Sequence, residues 1–144
     1  MKEHKNKIKL DGLLDENEPF ASFHDARLRK IQIDYLKREM TAELELSVGN
    51  PDGDTNEERE RRRNGSLKIT GLIYWAIEPP ESNVTIGPLW LTSDGLIEET
   101  KTETAKKLKT TLQPDFFAWY LYFSDINAYA YLVAKEAEFK WQNA

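Results

Sequence analysis

From Met40 to Val48 the chain alternates: Met40, Ala42, Leu44, Leu46 and Val48 are apolar, and Thr41, Glu43, Glu45 and Ser47 between them are polar. Successive side chains on a strand point to opposite faces. The spacing therefore predicts an antiparallel strand with one face on a core and the other in water. The stretch before it, Arg27 to Leu36, fits two templates. Leu28, Ile31, Tyr35 and Leu36 form a helical stripe, whereas Ile31, Ile33 and Tyr35 alternate as a strand would. Its Ile and Tyr content, and the clean alternation that follows, favour a hairpin turning near Lys37, Arg38 and Glu39.

Ser66 to Glu78 reads as the next strand. Leu67, Ile69, Ile73, Trp75 and Ile77 share one face, and Leu72, Tyr74 and Ala76 the other. The second half thus looks covered on both sides, and Pro79-Pro80 ends it because neither proline can donate to a ladder. Val84 to Leu91 reads as an edge strand broken by Gly87-Pro88, with a turn at Ser93-Asp94-Gly95. Ala105, Leu108 and Leu112 space a short helix over 104–112. Phe116 to Phe123 is an aromatic strand, followed by a turn at Ser124-Asp125. Beyond it Tyr129, Tyr131, Val133, Ala137, Phe139 and Trp141 fall on odd positions, with Glu136, Glu138 and Lys140 between. An alanine-rich helix over 127–142 is the rival there, and the alternation favours strand.

Two regions fall outside this pattern. Residues 1–19 predict a loose tail whose apolar residues, Ile8, Leu10, Leu13 and Leu14, allow a short docked segment before Phe20 and Phe23 enter the core. Asn50 to Gly65 opens on Asn-Pro-Asp-Gly-Asp and runs through Glu57 to Arg63 with no apolar face, which predicts a long solvated loop. The expected fold class is mainly β: one domain over 20–144, an antiparallel sandwich or half-barrel of about six to nine strands with one short helix.

Composition narrows the function classes. A net charge of −5 and a pI near 5.2 argue against nucleic acid or an anionic membrane as partner. No run approaches the ~18 apolar residues of a membrane span. The basic start (Lys2, Lys5, Lys7, Lys9) leads into no signal-peptide core. With no cysteine there are no disulfides, thiolate nucleophiles or zinc–thiolate sites, which is compatible with a cytoplasmic protein.

Few residues carry candidate chemistry. His24 beside Asp25 invites comparison with a catalytic pair. Neighbours on an extended chain point apart, however, and no Gly-x-Ser-x-Gly elbow exists. Phe23, His24 and Asp25 are therefore expected to set the start of the first core strand. Asp52, Asp54 and Asn56 have the opening spacing of a calcium loop, but Glu57 and Arg63 stand where that loop needs glycine and a carboxylate. Arg59, Arg61, Arg62 and Arg63 are offset by Glu57, Glu58 and Glu60. The aromatics Trp119, Tyr120, Tyr122, Tyr129 and Tyr131 read either as core or as a binding platform, since Tyr and Trp are enriched at interface hot spots. No metal or cofactor is expected.

Phe23-His24-Asp25-Ala26 ahead of a strand, then a second alternating strand, a long variable loop and an aromatic carboxyl-terminal section, resembles the YxiG-like and related immunity-type families of small bacterial proteins. The resemblance implies a compact antiparallel β domain without a catalytic centre. It also implies a protein partner, a basic toxin that the chain would neutralise. The competing expectation is a small hydrolase using His24 with distant carboxylates.

Overall fold

Met40, Ala42, Leu44 and Leu46 are all buried, as their spacing predicts, and their strand lies in the middle of a single antiparallel sheet. The structure is a computed structural model describing residues 9–81 and 87–142. Its strands are β1 (Ser22–Asp34), β2 (Glu39–Ser47), β3 (Arg62–Thr70), β4 (Tyr74–Ile77), β5 (Leu89–Leu96), β6 (Phe117–Phe123), β7 (Ala128–Ala134) and β8 (Glu136–Trp141). Two short helices interrupt them, α1 (Asn56–Arg59) and α2 (Glu103–Thr111). Both ambiguous segments, 27–36 and 127–142, are strands, and the helix expected over 104–112 is α2.

The ladders run in the order β4-β7-β6-β5-β1-β2-β3-β8. Chain continuity turns this row into a ring. β3 and β4 are one run of chain bent at Gly71–Ile73, and β7 and β8 are another bent at Lys135. β3 pairs with β8 and β4 with β7, so the two bent runs lie antiparallel along their whole length. Hydrogen bonds continue through the corner: the Ile73 N–H donates to the Val133 carbonyl (2.8 Å), and the Lys135 N–H to the Thr70 carbonyl (3.2 Å). The curled single sheet is the observed form of the expected fold, and the curl goes full circle through six runs of chain. Gly71, at φ +67, supplies a backbone conformation at the bend that other residues resist.

Side chains fill the ring. Phe23, Leu46, Ile69, Leu91, Trp119 and Phe123 are almost wholly enclosed. The interior retains a void of about 20 Å³ with an entirely apolar lining. Such a void stays dry and offers no polar group to orient a ligand. A second cluster lies outside the ring. There α2 packs Ala105 and Leu108 over Ala118, Tyr131 and Val133, which is why β7 is buried on both faces. The Thr102 hydroxyl caps this helix by accepting from the Ala105 N–H (3.2 Å).

Several expectations need correction. The charged loop ends earlier than Gly65: α1 lies inside it, and Arg62, Arg63, Asn64 and Gly65 already belong to β3. The reason is a buried carboxylate that composition does not reveal. Glu18 is only 6% exposed and accepts from Arg61 (2.6 Å) and Arg63 (2.9 Å). Burial alone would push its carboxyl up, but the two guanidiniums outweigh that and hold it below the usual carboxylate range. The same contacts bear on the tail. Residues 1–8 lie outside the described residues, but 9–19 are docked, with Leu10 in the core and Glu18 under the arginines. Phe23 enters the core as expected, whereas Phe20 is 48% exposed.

Part of the expected edge strand, residues 82–86, lies outside the described residues. The remainder, in β5, is no edge: it pairs with β1 on one side and β6 on the other. Ser93-Asp94-Gly95 is not a turn but runs within β5, because a bulge between Leu91 and Ser93 shifts the register and lets the strand continue.

Gly65 gives this architecture a direct test. A Cβ there would stand 2.0 Å from the Phe139 ring, which itself packs edge-on against Phe23 (5.3 Å) and so cannot move aside freely. Gly65→Ala is expected to destabilise the fold by about 1–3 kcal/mol, the usual range for overpacking. Denaturant unfolding with an unchanged midpoint would show that the ring of Phe139 is mobile.

Candidate functional site

β6 and β7 are joined by a tight turn, and their outward-facing residues meet in register. Tyr120 pairs with Tyr131 and Tyr122 with Tyr129. Alternation then separates the five aromatics considered above. Trp119 points into the ring and is 1% exposed, so it is core and not part of any binding surface. Tyr131 faces outward but is covered by α2, and its hydroxyl meets the Thr102 hydroxyl at 2.6 Å. Tyr120, Tyr122 and Tyr129 remain half-buried on the outer face. Tyr129 is central, with ring centroids 6.0 Å from Tyr120 and 5.0 Å from Tyr122. Strand parity could have removed Trp119 from the sequence; nothing in it shows that α2 covers Tyr131.

Carboxylates bracket this row on both flanks. On the β4 side Glu78 accepts from the Tyr129 N–H (3.1 Å). Glu81 accepts from the Asn127 amide (2.9 Å), whose oxygen in turn accepts from the Tyr122 hydroxyl (2.5 Å). On the β5 side stands Glu99, held by Lys9; Asp94 pairs in the ladder with the inward-facing Leu121 and so belongs to the other face of its strand. Burial, reinforced by the charges of Glu99 and Asp94, pushes the Tyr120 hydroxyl above its ordinary value. The face is thus aromatic at its centre, with Glu78 and Glu81 on the β4 side and the Lys9–Glu99 ion pair on the β5 side.

A second cluster adjoins it where β1 and β5 diverge beyond Ala26 and Leu91. The docked segment bridges that gap. Asp11 accepts from the Phe23 N–H (2.8 Å) and the Ser22 hydroxyl (3.2 Å), and Lys9 pairs with Glu99 (2.8 Å). Asp94 pairs in the ladder with Leu121, a residue at the interior cavity. Burial, with Asp11 nearby, raises its carboxyl to about 6.

His24 stands at the edge of this cluster. Its Nε2 lies 3.5 Å from Asp25, although neighbours on a strand should point apart. Asp25 has φ +65, so the chain is not extended there and the two side chains come together. Both side chains are well exposed, while the Asp25 carbonyl accepts from Arg62 (3.2 Å) at the start of β1. The Ser22 hydroxyl accepts from the His24 backbone N–H and donates to Asp11, which ties it to the fold rather than to the imidazole. Among the described residues no three His, Asp or Glu side chains gather so as to hold a metal ion. Among them, too, no helix is long and apolar enough to cross a membrane.

Two substitutions check this account. Asp94 binds its proton more tightly in the folded than in the unfolded chain, so stability falls as pH rises from about 4 through about 6. Asp94→Asn should therefore stabilise the protein at pH 7, on the order of 1–2 kcal/mol after discounting for solvent screening, and the gain should vanish below pH 4. An equal gain at both pH values would remove the burial argument. His24→Ala, at an exposed position, should change unfolding stability by less than about 0.5 kcal/mol. A larger loss would mean that the imidazole makes a contact the geometry does not show.

Comparison with known proteins adds little to this geometry. No family model matches the chain, and no curated protein matches it. A solved structure, an uncharacterized protein from Neisseria gonorrhoeae, is similar to it at 13% identity with a TM-score of 0.46, covering 83% of this chain and 94% of that one.

Proposed function

We propose that this chain acts by binding another protein without turnover, and that its partner is basic, as a toxin acting on nucleic acid would be. One observation carries the reading: three half-buried tyrosines, with the Tyr129 ring against both Tyr120 and Tyr122, flanked by Glu78 and Glu81 on one side and by Glu99 on the other. Tyrosines provide rigid contact area at small entropic cost and favour hot spots. Their ring faces attract lysine and arginine, and flanking carboxylates strengthen that preference. The hydrogen bonds of Tyr122 through Asn127 to Glu81 hold the platform before any partner arrives, which lowers the cost of binding. The immunity-type resemblance points to the same class of partner.

The test uses the purified chain as bait in an extract of its own host, followed by kinetics on any stoichiometric partner. Association should slow as salt rises, since steering is screened beyond about 8 Å at physiological ionic strength. Tyr122→Ala should speed dissociation on the order of tenfold, and Glu81→Gln should mainly slow association. An acidic partner, or kinetics indifferent to both substitutions, would overturn the reading. Turnover of a small substrate that is lost in His24→Ala would replace it with the hydrolase.

A further inference from the structure

The opposite end of α2 carries a surface of different character. Between the last turn of that helix and the start of β4 runs an open groove of about 280 Å³, walled by Ile73, Tyr74, Leu108, Leu112, Phe116 and Val133, with Thr111 and Gln113 on its lip. Ile73 is 55% and Tyr74 37% exposed, so large apolar side chains face water here. In a chain of net charge −5 the groove lining holds no carboxylate at all.

Two lysines stand near its rim. The Lys135 ammonium stands 5.4 Å from the centroid of the Phe116 ring, directly beside the groove. Lys107 precedes the groove residue Thr111 by four positions on α2, which places it on the same side of the helix. Like most lysines of the chain, neither forms an ion pair among the described residues. Tyr74, the first residue of β4, stands in one wall; β4 pairs with β7 along one edge, and its other edge has no ladder partner among the described residues.

The geometry points to a docking site for an acidic peptide segment in extended conformation. The segment adds to the free edge of β4, seats an apolar side chain between Tyr74 and Leu112, and sets its carboxylates against Lys107 and Lys135. Charge complementarity selects this occupant: two ammonium groups without an ion-pair partner among the described residues, beside an apolar slot whose lining holds no carboxylate, favour an anionic, apolar-anchored ligand. The slot is concave, which suits a protruding side chain better than a flat lipid surface. Strand addition supplies main-chain hydrogen bonds, while the groove reads alternate side chains. The site lies beyond α2 from the tyrosine face and prefers the opposite charge, so it serves a different partner.

Fluorescence anisotropy with two labelled peptides tests the assignment, one alternating phenylalanine with glutamate and the other phenylalanine with lysine. The glutamate peptide should bind saturably and the lysine peptide should not. The double substitution Lys107→Glu and Lys135→Glu should weaken the first on the order of tenfold or more and admit the second. Ile73→Glu, at an exposed position where folding is not at stake, should also weaken the glutamate peptide. Backbone N-methylation of that peptide should abolish binding if it pairs with β4. Equal binding of the two peptides, no binding of either, or indifference to charge reversal would overturn the proposal. So would binding that survives N-methylation, or association only with vesicles of anionic phospholipid.

Discussion

The structure depends on two runs of chain that bend at the same place and stay paired through the bend. Gly71 turns β3 into β4, Lys135 turns β7 into β8, and main-chain hydrogen bonds from Ile73 and Lys135 hold the corner between them. Without that shared bend the sheet would end in two open edges. With it, each half of one run pairs with a half of the other and the sheet returns to its starting point, leaving only the outer edges of β4 and β8 without a ladder partner among the described residues. The position of the interior follows from this closure. Residues with one parity on every strand face a common centre, and the small residues Ala42, Ala128, Ala130 and Ala134 leave room for Trp119, Phe23 and Phe123. The result is a filled barrel whose polar and reactive groups lie on its outer surface.

The outside is divided by α2. β7 presents Tyr129, Tyr131 and Val133 outward in succession, and the helix sits over the middle one. Tyr129 belongs to the acidic tyrosine face, and Val133 to the apolar groove with its lysines. The hydrogen bond between Tyr131 and Thr102, the residue that caps α2, fixes the helix on the strand and therefore fixes the boundary. Two surfaces of different character thus share one strand and are held apart by one helix.

What the sequence made legible follows from how many faces each strand buries. β2 and β8 have a core side and a water side, so alternation shows them plainly. β1 shows it too, despite a helical stripe among the same residues. The aromatic section was legible as strand, and parity separates Trp119 from its tyrosine neighbours. Contacts between distant segments left no local signal. Glu18 looks like one more charge in a polar tail until Arg61 and Arg63 close over it. Asp25 adopts a backbone conformation that its residue type does not announce, and it brings His24 onto the same side. The bulge in β5 hides a strand behind a turn-like Ser-Asp-Gly. The groove was not foreseen because its walls come from α2, β4 and β7, and no one segment carries its pattern.

The closing corner also imposes an order on folding. β1, β2 and β3 are consecutive hairpins and can pair as soon as they exist. The partners of β3 and β4 on the closing side, β8 and β7, come more than fifty residues later. Until those strands arrive, β3 and β4 offer unpaired backbone and the apolar interior lies open. Chains dominated by such distant pairings fold slowly, and open strand edges invite association with other chains in the meantime. On a ribosome, the segment from Ala128 to Trp141 acts as the latch of the barrel, and the strands before it stay unlatched until that segment has emerged.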